Sequence, residues 1–273
     1  MRHRIRRSVG LLAALVFILA PASVVQGQVQ DPEIGQPGKD VVWVPTPEDL
    51  VETMLDLAKV TPADVVIDLG SGDGRNVVAA AMRGARAIGI EYDQNLVEVS
   101  RRWARTMKVE TKATFVQTDM FAADFSEATV LALFLLPSNL AQLQRKFLDL
   151  KPGTRIVANT FAIGGWTPDE VAKTDDCSNW CTALLWIVPA KVTGTWTSAR
   201  GELTLTQEYQ MVSGTLKTDR GTIAIRNGRL RGDQISFTAD RDQFIGRVNG
   251  NAIDGTIVPA DLRAVPWTAT REK

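Results

Sequence analysis

The sequence predicts an α/β fold followed by a small antiparallel all-β unit. Three observations predict it. Short apolar runs alternate with stretches of helical period from residue 47 to residue 188; a glycine-rich turn follows the first of those runs; and beyond Pro189 come closely spaced alternating segments separated by Gly, Asn and Asp. Apolar strands joined by helix-length segments call for a parallel sheet covered by helices on both faces. The 273 residues, 45% of them hydrophobic, suffice for one large domain or two modest ones. The expected division is a leader at 1–27, a linker at 28–40, the α/β domain at 41–190 and a β-barrel or sandwich at 191–273.

The elements follow in order. Residues 28–40 mix Gln, Pro, Gly and charges without period. Leu50, Val51, Met54, Leu55, Leu57 and Ala58 have helical spacing, with Thr46 as the expected N-cap. Strands are expected at 65–67, 87–90, 114–116, 129–135 and 155–159, and helices at 76–82, 94–107 and 139–148; a run at 184–188 is expected to close the sheet. Eight short strands then run from Thr195-Trp196 to 267–270, with Asn227-Gly228 and Asn249-Gly250 as turn signals. Gly194-Thr195-Trp196 resembles the Gly-x-Trp of lipocalin-like barrels.

The first 27 residues do not belong to the fold. Arg2, Arg4, Arg6 and Arg7 precede an apolar run from Gly10, and small residues follow at Ala22, Ser23 and Gly27, so the stretch reads as a secretory signal peptide. The other reading is an uncleaved membrane anchor; either one puts the body outside the cytoplasm, in the periplasm or beyond. Without the four leader arginines, the 31 Lys and Arg fall to 27 against 31 Asp and Glu, a net charge of −4. That acidity argues against a nucleic-acid partner, which needs a basic footprint. The single histidine, His3, lies in the leader, so the remainder offers neither a Ser-His-Asp triad nor a histidine metal site, and no metal is expected. Cys177 and Cys181 are either a local disulfide or two buried thiols.

The chemistry centres on Asp68-Leu69-Gly70-Ser71-Gly72-Asp73-Gly74-Arg75. Glycines let the backbone turn sharply and approach a ligand, and the following helix offers free N–H groups. Glu91 lies about 20 residues on, at the end of the second strand, where an acid can hold ribose hydroxyls. A dinucleotide fingerprint would read G-x-G-x-x-G, but here Arg75 stands at the third glycine's place and the pattern is G-x-G-x-G. Asp68 at the strand end suits a cationic amino group. The spacing therefore favours S-adenosylmethionine (SAM) over NAD.

Those residues resemble the SAM-binding signature of class I methyltransferases, with Glu91 and Asp119 where later motifs fall. Val44-Pro45-Thr46-Pro47 and Phe134-Leu135-Leu136-Pro137-Ser138 make the chain similar to lysine methyltransferases of the ATP synthase c-subunit type and their bacterial relatives, over about residues 41–188. The resemblance implies a seven-strand, Rossmann-like, doubly wound sheet and SAM as cofactor. It implies that Asp68, Gly70, Ser71 and Gly72 hold the methionine part, with Thr46 touching its carboxylate. Glu91 would bind the ribose and Tyr92 pack near the adenine, while Asp119 accepts from the adenine amino group and Met120 lies beside the ring. Pro137, Ser138 and Asn139 would face the transferred methyl, Ser138 or Asn139 orienting an acceptor amine; the plainer expectation for Ser138 is a helix cap.

The implied function is methyl transfer to a protein lysine. The alternatives are an exported, non-catalytic ligand-binding protein and, disfavoured by the glycine spacing, an oxidoreductase. Transient membrane association and the oligomeric state stay open.

Overall fold

The computed structural model describes residues 30–39, 42–175, 177–259 and 263–272. The leader lies outside the described residues. Among the described residues the chain forms a seven-strand mixed sheet with four helices, then a closed eight-strand antiparallel barrel.

Helix α1 (Glu48–Leu57) leads to β1 (Val65–Leu69), α2 (Arg75–Met82), β2 (Arg86–Glu91), α3 (Gln94–Thr106), β3 (Ala113–Gln117), β4 (Val130–Leu133), α4 (Pro137–Leu148) and β5 (Arg155–Asn159). Strands β6 (Glu170–Lys173) and β7 (Thr182–Ile187) finish the sheet, whose order is β3-β2-β1-β4-β5-β7-β6. Strands β1 to β5 are parallel, whereas β7 is antiparallel to both neighbours. Successive residues of each inner strand face opposite layers. Val66, Val130, Ala132 and Val157 pack with α1, α2 and α3; Ile67, Leu131, Leu133 and Ile156 pack with α4.

Four expectations need correcting. Thr46 does not cap α1, because Pro47 takes the N-cap position without a side-chain bond and the Thr46 hydroxyl instead accepts from Asn159 Nδ2 at 3.4 Å. Ser138 does not cap α4 either: Pro137 occupies the first turn, where its missing N–H costs nothing, and Leu136 is the N-cap. The 184–188 run does not close the sheet; β7 lies inside it, and the short, half-exposed β6 forms the edge. Asn227-Gly228 is not a hairpin turn but a bulge inside β11, with Asn227 at φ 52° and Gly228 so close to Val212 O that a Cβ would sit 2.2 Å away.

The barrel comprises β8 (Gly194–Ser198), β9 (Gly201–Glu208), β10 (Met211–Thr218), β11 (Gly221–Arg231), β12 (Gln234–Ala239), β13 (Asp242–Asn249), β14 (Ala252–Val258) and β15 (Val265–Arg271), with β15 pairing back to β8. Alternate residues fill its interior, including Trp196, Phe237, Phe244 and Trp267, the last three in mutual ring contact. Trp196 is fully buried, donates to Val192 O, and carries the Arg271 guanidinium 4.6 Å from its ring.

Sheet and barrel meet through the segment between β5 and β6. Tyr209 stacks on Trp166 at 5.6 Å, and its hydroxyl accepts from Gln144. Gln210 donates to Thr167 O, and Arg229 pairs with Asp169, whose side chain is wholly buried and also accepts from Ile187 N. The Tyr209 ring should therefore couple the two units. Tyr209→Ala is expected to lower stability by about 2 kcal/mol, and urea unfolding followed by far-ultraviolet circular dichroism and tryptophan fluorescence should change from one transition to two.

Candidate functional site

In a parallel sheet the loops that leave the C-terminal strand ends share one edge, and ligands collect there. A cavity of about 370 Å³ lies along that edge. It runs from Glu91, Tyr92, Asp119 and Met120 after β2 and β3, past Gly70 after β1, to Leu135 and Asn139 after β4 and Phe161 after β5.

The glycine loop is shaped by what surrounds it. Gly70, Gly72 and Gly74 all have left-handed backbone, at φ 75°, 55° and 84°. A Cβ at Gly72 would stand 2.6 Å from Trp43 Nε1, and one at Gly74 within 2.8 Å of Phe115 and Ser100, so the third glycine serves helix packing. The N–H groups of Gly70 and Ser71 both reach Ile90 O, at 2.8 and 2.9 Å. Arg75 pairs with Asp73 at 2.6 Å and donates to Thr46 O, fixing the loop to the residues before α1.

Glu91 is the junction. Its Oε2 accepts from Gly72 N at 2.8 Å, and its Oε1 from Tyr92 N and Asp93 N at 2.8 and 2.9 Å. Burial pushes this carboxyl up, against the pull of those three N–H groups. Three of about four lone-pair directions are taken, and the carboxylate edge still lines the cavity.

Asp68 is fully buried and accepts from Asn76 Nδ2 at 3.0 Å. Burial, together with the nearby Glu91 and Asp73 charges, raises its pKa to about 8, opposed by the Asn76 bond. Asp68 Oδ1, Ser71 Oγ and Asn76 Oδ1 are buried without a partner among the described residues. Three orphaned oxygens, one on a strained carboxyl, suit a cationic amino group. These residues fit SAM, with the amino-acid end toward Asp68 and the adenosine toward Glu91.

Lys39 covers the Glu91 end of the cavity. Lys39 Nζ pairs with Asp119 Oδ2 at 2.6 Å and lies 4.7 Å from the Tyr92 ring centre. That pairing, with the Phe121 N–H on Oδ1, holds the Asp119 carboxyl below its ordinary range. Residues 30–39 are not a free tether: Gln30 exchanges two bonds with Asn95, and Gly35 and Gln36 bond to Trp43.

Of the expected site residues, Gly70, Glu91, Tyr92, Asp119, Met120 and Asn139 line the cavity. Asp68, Ser71, Gly72 and Thr46 stand behind them, in the loop and its anchor. Pro137 and Ser138 face solvent, with Ser138 Oγ donating to Asn139 Oδ1. Sequence reading missed Lys39, Trp43, Phe161 and Trp180, which also line the cavity. The only signal for the last two was an aromatic just after a strand and one between two cysteines.

Burial raises the Asp68 carboxyl to about 8, so its neutral form is favoured at pH 7 and binding of a cation there favours the carboxylate, with release of a proton. Calorimetric titration with SAM at about pH 7, in buffers of different ionisation enthalpy, should show release of close to one proton. Affinity should rise with pH toward about 8 as the Asp68 carboxylate forms, and fall again once the α-ammonium of SAM loses its own proton. Asp68→Asn should abolish the release and weaken binding about ten- to a hundredfold.

Residues 68–170 match the family model of the ANTKMT methyltransferase domain. A protein-lysine N-methyltransferase of Saccharolobus islandicus is 39% identical over 151 residues, 54% of this chain and 94% of that protein. The mouse lysine N-methyltransferase of the ATP synthase c-subunit is 38% identical over 38% of this chain and 43% of its own length, so the chain spans less than half of that relative. A Salinibacter ruber structure described as an RNA methyltransferase with S-adenosyl-L-homocysteine is 42% identical, covers 55% of this chain and 96% of its own, and has a TM-score of 0.52. The chain belongs to the class I SAM-dependent methyltransferases, in the branch of the ATP synthase c-subunit lysine methyltransferases and their microbial relatives, and uses SAM as its methyl donor.

Proposed function

We propose that the chain methylates the ε-amino group of a lysine on a protein substrate. The observation that carries this reading is the match over 94% of the Saccharolobus islandicus protein-lysine N-methyltransferase. Bound SAM supplies an electrophilic methyl on a positively charged sulfur. The chain's residues then have two tasks, alignment and exclusion of water.

An amine attacks only when neutral. The cavity beyond Gly70 is lined by Phe134, Leu135, Leu136 and Phe161, with Asn139 as its polar group. The acceptor therefore reacts through its neutral fraction, its proton passing to solvent before the lone pair reaches the methyl. Asn139 is 5% exposed, and its Nδ2 has no partner among the described residues. Its Oδ1, which accepts from Ser138 Oγ, keeps a second lone pair that can accept an N–H of the acceptor amine, so Asn139 serves as a positioning group that adds no charge.

The Salinibacter ruber relative's description favours RNA as a second reading. The net charge of −4 without the leader disfavours it, since polyanions need neutralising contacts. The basic and apolar N-terminal stretch, together with the Cys177–Cys181 bond, supports action in an oxidising compartment outside the cytoplasm.

Incubation of the full chain with methyl-labelled SAM, an envelope protein fraction and total RNA separates the readings. Label should appear as methyl-lysine after acid hydrolysis; label in RNA would overturn the proposal. Asn139→Ala should lower kcat/KM by about tenfold or more while leaving SAM binding within about twofold, as expected for a lost positioning bond.

A further inference from the structure

The acceptor end of the cavity has a wall that the methyl-transfer reading does not explain. Strand β6 runs parallel to β5, so the β6–β7 hairpin emerges at the same edge as the loops after β4 and β5. That hairpin carries Trp180 into the cavity lining, beside Phe134 and Phe161. The three rings touch one another, with centroids 6.1 Å apart for Phe134–Phe161, 5.5 Å for Phe134–Trp180 and 5.3 Å for Phe161–Trp180.

Two of the three are held by unusual backbone. Trp180 has φ 61°, a left-handed conformation that costs energy for a bulky side chain, and Thr160, just before Phe161, has φ 57°. Strain persists only where neighbouring structure imposes it. At Trp180 the imposing element is covalent: Cys177 and Cys181 form a disulfide around it, with Cα atoms 5.6 Å apart. Thr160 N, in turn, bonds to Thr182 O, next to the same cysteine. A tryptophan 37% exposed, strained and clamped at a cavity mouth is poorly explained as packing.

We infer that Trp180, with Phe134 and Phe161, forms an aromatic subsite for the alkylammonium of the acceptor, and that the Cys177–Cys181 disulfide is what holds Trp180 in it. The inference rests on the lysine reading for its ligand. Ring faces attract a cation within about 6 Å of the centroid. The subsite thus receives the charged side chain on arrival and retains methylated products, while the neutral fraction of the amine reacts. Breaking the disulfide frees the hairpin, so acceptor binding weakens and the cofactor end, built from other loops, does not.

The test uses the full chain saturated with S-adenosyl-L-homocysteine, titrated with N-acetyl-Nε-trimethyl-lysine amide and, as the neutral control, N-acetyl-norleucine amide. The charged probe should bind and the control bind at least about tenfold more weakly. Trp180→Ala should weaken the charged probe by at least about tenfold, and Trp180→Phe, which keeps a ring, by no more than about threefold. Cys177→Ser with Cys181→Ser, or treatment of the unmodified chain with a phosphine reductant, should match Trp180→Ala, and the reductant should not affect the double serine variant. S-adenosyl-L-homocysteine affinity should stay within about threefold throughout. Failure of the charged probe to bind, equal binding of the control, or an unchanged Kd in Trp180→Ala would overturn the subsite. An unchanged Kd on reduction would overturn the role of the disulfide. If label from SAM falls on a group other than lysine while the probe still binds through Trp180, the subsite stands and the lysine assignment falls.

Discussion

The site depends on one carboxylate gathering three backbone N–H groups. Glu91 joins the loop after β1, through Gly72, to the turn after β2, through Tyr92 and Asp93. The loops that leave two paired strand ends are thereby tied together at the cavity edge. The cost is a charge held partly out of water, and the N–H groups offset it. Once this junction is set, Gly70 and Ser71 can close on Ile90 O, and α2 can start at Arg75. Asp68 is then sealed below the loop with its charge suppressed.

The cavity consequently has two unlike ends on one edge. Acidic and basic groups cluster toward β2 and β3, where Asp119, Glu91 and Lys39 manage a polar ligand. Toward β5 and β7 the lining turns neutral and aromatic. The barrel bears on this second end, since Trp166, against which Tyr209 stacks, belongs to the segment that begins with Phe161. The barrel thereby supports the loop that shapes the acceptor side.

Legibility in the sequence tracked locality. The run from Asp68 to Arg75 was readable because strand end, turn and helix start are contiguous, and each residue type has a local reason to be there. Glu91 was readable from its spacing. Trp43 and Lys39 were not, because their role arises from the backbone pairing of Gly35 and Gln36 with Trp43, which has no period to detect. Strand β6 escaped for a related reason: an edge strand of Glu, Val, Ala and Lys, half exposed, has no apolar run. At Asn227-Gly228 the signal was present but ambiguous, since a bulge and a hairpin turn both draw on left-handed backbone. The eight barrel strands were visible one by one; whether they closed was a long-range matter settled by β15 meeting β8.

That last pairing bears on how the molecule comes into being. Residues 194–198 are synthesised some seventy positions before the strand that completes them, Val265–Arg271. Until that segment appears, β8 and β14 each present an open edge able to recruit a strand from a neighbouring chain. The methyltransferase sheet, whose last strand ends at Ile187, suffers no such wait. Nascent chains should therefore pass through a stage with a formed cofactor edge and an unsealed barrel, the interval in which a chaperone has most to do.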